Sequence, residues 1–318
     1  MDLSIITVSW NVKEKLRESL RAIFESVSAS ARASSSVDAA ILTLEIFVVD
    51  NASNDGTAEM VKQEFPQVRL IANSENRGFS AANNQAIRES GGDFILLLNP
   101  DMRVFPDTLP KMVTWMREHP KVGIAGCHLV NEKGETVPHV RRFPNVADQA
   151  AILLKLPHLF PKIVGRYLMS DFDYRQEAEV DSIRGSFFMA RREVFFEGLS
   201  RPSNSPPSIG LPDERFFIWF EEVDFCKRAD AAGWKIMYTP LVKCVDYVGQ
   251  SFKQMASYQK QKMFTESMVK YFNKHHPGWR AWVISALRPV GLALVWVGGK
   301  FKTWFMRVLS RVFLPSRV

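Results

Sequence analysis

The sequence predicts an α/β protein built on a doubly wound, mostly parallel sheet. Three apolar segments, residues 3–11, 44–51 and 94–101, have the composition of strands buried in a core. The first two are each followed by a segment of helical period, residues 12–27 and 57–65. Strands that alternate with helices in this way are typical of βαβ units, and βαβ units build parallel sheets.

The third strand segment ends on a turn that contains a carboxylate. Five apolar residues, 94–98, run directly into Asn99-Pro100-Asp101. In open α/β sheets, ligands bind beyond the carboxyl ends of the strands. Asp101 is therefore placed where it would hold an anionic ligand or a metal ion that accompanies one, although the same turn would also serve simply to end a strand. The sequence contains neither a glycine-rich dinucleotide fingerprint nor a P-loop.

The basic character of the chain is concentrated at its C-terminal end. After Glu266 there is no acidic residue, whereas nine lysines and arginines follow. Residues 301–314 place aromatic and aliphatic side chains on one helical face and cations largely on the other, which predicts contact with an anionic membrane surface through residues 280–314. The alternative is a helix that packs on the rest of the protein or on a second subunit.

Several partners and compartments are disfavoured. The apolar run at residues 289–299 is about half as long as a bilayer-spanning helix, so we expect surface attachment rather than insertion across the membrane. No nucleic-acid-binding motif accompanies the positive charge, and we expect no nucleic-acid partner. Three cysteines without a C-x-x-C pair and no visible secretory signal predict a cytoplasmic protein, attached to the inner face of the cell membrane.

A second group of candidate functional residues follows the aromatic run at residues 216–220. Three carboxylates, Glu221, Glu222 and Asp224, come directly after it. Acids beside apolar surface are desolvated, and their pKa then rises toward the range of a general base. Acids at a helix start also complement the helix dipole without any further role. The residues alone leave both interpretations open.

Six segments taken together resemble glycosyltransferase family 2, which has the GT-A fold, and most closely its rhamnosyltransferase-like bacterial branch. They are Val-Ser-Trp-Asn (8–11), Val-Val-Asp-Asn-Ala-Ser-Asn-Asp-Gly-Thr (48–57), Asn-Arg-Gly-Phe-Ser-Ala-Ala-Asn-Asn (76–84), Leu-Leu-Asn-Pro-Asp (97–101), Arg-Gly-Ser-Phe-Phe-Met-Ala-Arg-Arg-Glu (184–193) and Phe-Glu-Glu-Val-Asp-Phe-Cys-Lys-Arg (220–228). The order and spacing of the segments agree with the family across about residues 3–252.

The resemblance implies a role for individual residues. Asp50 would contact the base of a nucleotide-sugar with Ser9 and Asn11 nearby, and the nucleotide-sugar pocket would also include Asn76, Gly78, Phe79, Asn83 and Asn99. Gly185 and Ser186 would lie on the acceptor side.

The metal site and the catalytic base are implied in the same way. Asp101 of the Asn-Pro-Asp variant would hold magnesium or manganese. Asp246 stands where the family often has a histidine metal ligand, and its role as a ligand or as a turn cap stays open. Glu222 takes the place of the family's aspartate base and is one methylene longer, so Asp224 or Glu221 would be able to share that role.

The resemblance implies an inverting, metal-dependent glycosyltransferase. The expected donor is a dTDP- or UDP-sugar, preferably dTDP-rhamnose, and the expected acceptor is a lipid-linked saccharide of the cell envelope. Residues 1–265 would form the catalytic domain, with a nucleotide-sugar half at 1–125 and an acceptor half at 126–265, and residues 266–318 would form a membrane-associating tail. The alternatives are a nucleotidyltransferase and a catalytically inactive membrane scaffold.

Overall fold

The computed structural model describes residues 1–33, 42–198, 205–247 and 255–313, with side chains at 1–28, 42–198, 205–247 and 255–298. The chain forms two compact units. The sheet unit consists of residues 1–143 and 168–253, and the helical unit consists of residues 144–167 and 254–318. The boundary predicted between residues 265 and 266 lies inside a helix, Ser257–His275, of the helical unit.

The strands belong to one large sheet and one small sheet. In chain order they are β1 (Leu3–Ser9), β2 (Leu44–Asp50), β3 (Arg69–Ala72), β4 (Phe94–Leu98), β5 (Met102–Val104), β6 (Val122–Val130), β7 (Val140–Arg141), β8 (Ala178–Glu179), β9 (Ser182–Ile183), β10 (Phe187–Arg191) and β11 (Lys235–Asp246). The large sheet has the order β3-β2-β1-β4-β10-β6-β11-β5 with β8 beside β11, and β7 pairs with β9 separately.

The helices of the chain are α1 (Lys13–Ala33), α2 (Thr57–Glu64), α3 (Phe79–Glu89), α4 (Thr108–Glu118), α5 (Val146–Leu153), α6 (Gly165–Leu168), α7 (Arg192–Phe195), α8 (Glu221–Ala231), α9 (Ser257–His275) and α10 (Trp279–Phe313). Two 3-10 turns, Leu156–His158 and Pro161–Val164, follow α5.

Helices cover both faces of the large sheet, which confirms the predicted doubly wound α/β architecture. Alternate residues of β4 point to opposite faces: Leu96 packs in a core with residues of α1, α2 and α4, whereas Ile95 packs in a second core with residues of α3 and α8. All five residues of β4 are buried, as the continuous apolar run predicts.

Antiparallel strands interrupt the parallel ones, and the sequence does not predict them. Strands β1, β2, β3 and β4 pair in parallel, as do β6 and β11, but β10 lies antiparallel between β4 and β6. Because β10 begins at Phe187 opposite Leu98, the residues just before it reach the carboxyl end of β4. Strand β5 pairs antiparallel with the end of β11, so Asp246 lies opposite Met102.

The helical unit packs α10 against α9 and α5. Ala281, Ile284 and Gly291 form a buried stripe on α10, and a Cβ at Gly291 would come within 2.8 Å of the Leu153 carbonyl oxygen. Within the described residues, one helical stretch, Trp279–Gly298, is long and apolar enough to cross a membrane by length and composition alone. It is longer than the predicted run at 289–299 because α10 begins at Trp279. The predicted amphipathic face at 301–314 lies outside the described side chains.

Candidate active site

The carboxyl ends of β1 and β2 place two polar side chains side by side. Ser9 and Asp50 are register partners at the last position of these parallel strands, and both are buried. Ser9 Oγ and Asp50 Oδ1 have no hydrogen-bond partner, although Asp50 Oδ2 accepts a bond of 3.3 Å from the Ser53 N–H. Burial is the largest influence on the Asp50 carboxyl, and it raises the pKa of this group. These atoms are free to bind a polar ligand.

A network of asparagines holds the loops next to this edge. Asn11 Oδ1 accepts a bond of 2.8 Å from the Asn54 N–H. Asn51 Nδ2 donates to Asn76 Oδ1 at 2.8 Å, and Asn51 Oδ1 accepts from the Arg77 N–H at 3.0 Å. Asn76 therefore shapes the loop that leads to α3, so its side-chain oxygen is already in use within the protein.

Gly78 joins that loop to the segment before α8. Its φ is +81°, and a Cβ at this position would lie 2.6 Å from the Phe217 carbonyl oxygen. The same oxygen accepts a bond of 2.6 Å from the Phe79 N–H. Only glycine permits both this backbone conformation and this close approach. The contact brings Phe79 and the start of α3 beside the acidic segment.

A pocket of about 340 Å³ lies where α3, β4, β10 and α8 meet. Its wall is almost entirely apolar, and the polar residues along it are Ser80, Asn83, Glu221 and Glu222. Asn83 Nδ2 donates to the Phe79 carbonyl at 2.9 Å, while Asn83 Oδ1 has no partner. The lining consists of Phe79, Ser80, Asn83, Leu97, Gly185, Phe188, Phe195, Pro212, Glu221, Glu222 and Phe225.

Two consecutive residues before α8 adopt the left-handed backbone conformation. Trp219 has φ +62° and Phe220 has φ +68°. Such a conformation costs a residue other than glycine roughly 1–3 kcal/mol, and strain of this kind is concentrated at functional sites. Among the described residues, six residues other than glycine have positive φ, and four of them lie at this edge: Trp219, Phe220, Asn11 and Ala52.

Glu221 and Glu222 follow the strained turn, and both line the pocket. Glu221 is 8% exposed, and Oε2 of each carboxylate has no partner. Burial raises the pKa of both groups, and the neighbouring charge of Glu222 raises that of Glu221 further. Backbone N–H groups at the helix start and the charges of Arg184 and Arg141 oppose the rise at Glu222. The nearby cations thus favour the ionised form of Glu222.

Asp224 lies in a different environment from the two glutamates. It is fully buried, and its Oδ2 accepts a bond of 3.0 Å from Arg228 Nε. Arg228 in turn donates to the carbonyl oxygens of Ile209, at 2.5 Å, and Leu211, at 2.9 Å. Asp224 is not among the pocket residues, so its geometry suits the support of the loop before α8.

The two candidate metal ligands come from adjacent backbone segments. Asp101 and Asp246 are 5% and 3% exposed. The Tyr247 N–H donates to the Asp101 carbonyl oxygen at 3.2 Å, so the end of β11 runs beside the turn after β4. Arg184 Nη1 lies 3.4 Å from Asp246 Oδ2, and Arg184 Nη2 donates to the Pro138 carbonyl at 3.3 Å.

The segment before β10 connects these parts of the site. The Ser186 carbonyl accepts a bond of 3.0 Å from the Asn99 N–H, and the buried Ser186 Oγ has no partner. A Cβ at Gly185 would lie 3.8 Å from both Glu222 Cβ and Phe79 Cε1. This segment therefore contacts the pocket through Gly185 and Asp246 through Arg184.

Comparison with known proteins identifies the family. The profile described as glycosyl transferase family 2 matches residues 4–196, more than half of the chain. The chain belongs to this family. An N-acetylglucosaminyl-diphospho-decaprenol L-rhamnosyltransferase of Mycobacterium tuberculosis is 24% identical over 255 residues, which are 75% of this chain and 78% of that protein. A low-salt glycan biosynthesis hexosyltransferase, Agl10, of Haloferax volcanii is 25% identical over 72% of this chain and 61% of that protein.

Solved structures agree in fold. The mannosyltransferase PcManGT from Pyrobaculum calidifontis, in complex with GDP-Man and Mn²⁺, superposes with a TM-score of 0.52 at 18% identity, covering 99% of this chain and 88% of that chain. GalNAc-T7 with UDP, GalNAc and Mn²⁺ superposes with a TM-score of 0.56 at 13% identity, covering 86% and 48%. The predicted GT-A fold is confirmed, and the chain is a glycosyltransferase.

The site is compatible with a divalent cation whose remaining ligands come from the substrate. Among the described residues, no group of three His, Cys, Asp or Glu side chains is arranged to hold a metal ion. Asp101 and Asp246 nevertheless supply buried carboxylate oxygens from neighbouring segments. Magnesium is commonly bound through one or two carboxylates together with substrate phosphates, so this pair fits the chemistry of such an ion.

Three contributors to this family-2 site have no role assigned from the sequence. Asn51 hydrogen-bonds to the loop at 73–78, and the Phe217 carbonyl accepts a hydrogen bond at the end of that loop. Arg184 contacts Asp246, and its charge lowers the pKa of Glu222. Arg184 and Asp246 are 62 residues apart in sequence, and no local pattern marks such a pair. Asn51 adjoins Asp50 within one of the segments that resemble the family, and this position was the sequence signal that could have indicated its role.

Proposed function

We propose that this glycosyltransferase catalyses a single inverting displacement with Glu222 as the general base. The observation that supports this most directly is the position of Glu222: the residue lines the pocket, its Cβ lies beside Gly185, and its buried Oε2 has no hydrogen-bond partner. Glu222 removes a proton from an acceptor hydroxyl while that oxygen forms its bond to the anomeric carbon. The bond from the anomeric carbon to the diphosphate oxygen breaks, and the nucleoside diphosphate leaves.

The nucleotide of the donor is proposed to bind at the ends of β1 and β2, within residues 1–125. Ser9 and Asp50 offer unpaired polar atoms there, and Asn11 fixes the adjoining loop. The rhamnosyltransferase relative supports dTDP-rhamnose as the donor, with a UDP-sugar as the other candidate. Residues 126–265, which include Gly185 and Ser186, then supply the acceptor side.

The proposed cofactor is magnesium or manganese held by Asp101, with Asp246 as a second ligand. A bound divalent cation would neutralise charge on the diphosphate leaving group. Arg184, whose guanidinium is 3.4 Å from Asp246, adds a fixed positive charge to the same region. Both Mn²⁺-containing structures with this fold are consistent with the assignment.

The proposed acceptor is a lipid-linked saccharide of the cell envelope, in keeping with the diphospho-decaprenol substrate named for the mycobacterial relative. Such an acceptor is confined to the membrane, and residues 280–314 are proposed to attach the enzyme to the cytoplasmic surface. Arg288 supports surface attachment. It is at the middle of the apolar stretch 279–298, donates to Thr265 Oγ1 at 3.3 Å and lies 3.9 Å from Glu266 of α9. A crossing helix would place these charges at the bilayer centre, at a cost of several kcal/mol.

The test measures nucleoside diphosphate release from a panel of nucleotide-sugars, with magnesium or manganese and then with chelator. Release from one donor that requires the metal identifies the sugar and the cofactor. We expect Glu222→Gln to lower turnover by roughly 10²–10⁴-fold, since general base catalysis contributes on that order.

Glu221→Gln is the matched control because it makes the same chemical change one residue earlier. We expect it to lower turnover far less than Glu222→Gln. If the two variants lose turnover equally, the assignment of the base to Glu222 is wrong. If no donor is hydrolysed or transferred, even with membrane lipid extract as the acceptor source, the proposed reaction is wrong as a whole.

A further inference from the structure

The helical unit carries most of the large apolar side chains that are exposed among the described residues. Ten of the thirteen that are exposed among the described residues belong to it, although it comprises less than a third of the chain. Six of them lie on α10, and three lie in the short segment after α5. Those three are Leu159, Phe160 and Ile163, with exposed fractions of 73%, 62% and 45%.

The segment that contains them is a closed turn with its backbone hydrogen bonds made internally. The Leu159 and Phe160 N–H groups donate to the Leu156 carbonyl at 2.9 and 2.8 Å, and the Ile163 N–H donates to the Phe160 carbonyl at 3.0 Å. Val164 is buried at its end and fixes it to the unit. A turn whose N–H groups are satisfied in this way is able to enter an apolar environment at low cost.

The charge of the helical unit suits an anionic partner. Residues 144–167 and 254–318 contain 14 lysines and arginines and two acidic residues, a net charge of +12. The total for the chain is +7, which leaves −5 on the sheet unit. Lys162 and Arg166 are exposed within and just after the apolar turn. Exposed apolar side chains among cations are the pattern of a surface that binds anionic lipid.

We propose that Leu159, Phe160 and Ile163 insert into the interface of an anionic phospholipid bilayer. The inserted turn is a second membrane contact, separate in sequence from α10. Both contacts belong to one unit, since α5 packs on α10 at Leu153 and Gly291. This inference rests on the proposed function, in which the acceptor is lipid-linked.

The first test measures binding of the full chain to vesicles of phosphatidylcholine and phosphatidylglycerol in equal parts. We expect Leu159→Ser/Phe160→Ser to weaken binding by roughly tenfold or more, given the apolar surface lost from the interface. Leu241→Ser is the control for the loss of an exposed leucine, because Leu241 belongs to the sheet unit and is 48% exposed. It should bind the vesicles as the parent protein does. Equal binding by the double variant and the parent protein would overturn the proposal.

The second test locates the turn directly. The three native cysteines, Cys127, Cys226 and Cys244, are buried, so a polarity-sensitive thiol dye reacts preferentially at Phe160→Cys. We expect a blue shift of its emission when the anionic vesicles are added. No shift in protein that sediments with the vesicles would overturn insertion of the turn while leaving attachment through α10 intact.

Two further measurements separate this inference from other outcomes. Nucleoside diphosphate release from a soluble donor needs no membrane. If no nucleoside diphosphate is released, the proposed function is contradicted, and the dye result still stands. If Leu159→Ser/Phe160→Ser changes the association state in sedimentation velocity but not vesicle binding, the turn is an interface between copies of the chain, and the proposal is wrong.

Discussion

Glu221 and Glu222 have the same carboxyl group, and their surroundings give them different chemistry. Burial raises the pKa of both. The two adjacent acids oppose each other's ionisation, and the positive charges of Arg184 and Arg141 lower the pKa of Glu222. A base must be ionised before it accepts a proton, so the residue with the compensating cations is the better candidate. Glu221 is better suited to remain protonated and to donate a hydrogen bond.

Arg184 should therefore tune the pH dependence of the reaction. With Glu222 as the proposed base, turnover should rise with pH as Glu222 loses its proton and should decrease at pH values below its pKa. Arg184 lowers that pKa, so Arg184→Gln should raise it and move the acidic limb of the profile of kcat to higher pH. The measurement is kcat against pH with donor and divalent cation saturating.

Arg142→Gln is the control for the loss of a positive charge near this region. Arg142 pairs with Asp181 at 3.1 Å and is about half exposed. Its variant should leave the acidic limb in place. An unchanged limb in Arg184→Gln, with Glu221, Glu222 and Arg141 all intact, would show that Arg184 does not act on the base.

The sequence indicates the residues at strand ends more readily than the residues that support them. Asp50 and Asp101 follow apolar runs and precede turn signals, which marks them as ends of parallel strands. The pairing of Arg184 with Asp246 depends on how β10 and β11 enter the sheet. Such long-range pairing leaves no periodic pattern, so the charge that modulates Glu222 becomes visible only in the folded chain.

At the scale of elements, the antiparallel strand β10 and the C-terminal strand β11 complete a site that β1, β2 and β4 begin. Strand β10 brings Gly185 and Ser186 to the end of β4, and β11 brings Asp246 beside the following turn. The parallel strands β1, β2 and β4 are predictable because strand and helix alternate with clear periods. The short strands β5, β8 and β9 have two or three residues each, too few for a pattern to indicate their partners.

The contact between the loop at 73–78 and the segment before α8 should be essential for donor binding. Gly78→Ala adds a Cβ 2.6 Å from the Phe217 carbonyl oxygen and disfavours φ +81°. We expect the two segments to separate and the KM for donor to rise by about tenfold or more, since small displacements of positioning groups have effects of this size. The measurement is steady-state kinetics with varied donor.

Gly134→Ala separates the clash from the backbone effect. Gly134 also has φ +81°, but a Cβ there meets no atom within 4 Å. It should lose about 1–2 kcal/mol of stability from the left-handed backbone and retain the parental KM. Equal kinetic effects in the two variants would mean that the contact with Phe217 is unimportant for the donor.

At the scale of the whole molecule, charge divides along the same boundary as packing. The sheet unit is acidic overall at −5, and the helical unit is basic at +12. The basic end of the chain is evident in the sequence. The membership of residues 144–167 in the same unit is not, because that segment ends 90 residues before α9 begins and joins the unit through the packing of α5 on α10.

The helical unit should attach to one side of a membrane without crossing it. Arg288 with Glu266 beside it, and Lys270 bonded to Glu266 at 2.9 Å, place charges on α9 alongside the middle of the apolar stretch of α10. Full-length protein bound to sealed anionic vesicles from outside should therefore keep a C-terminal tag fully open to added protease. Raising the salt from about 0.1 M to 1 M shortens the screening length from about 10 to 3 Å and should release most of the protein. A protected tag, or binding that resists both salt and alkaline carbonate, would instead show that α10 spans the bilayer and that its pairing with α9 opens on insertion.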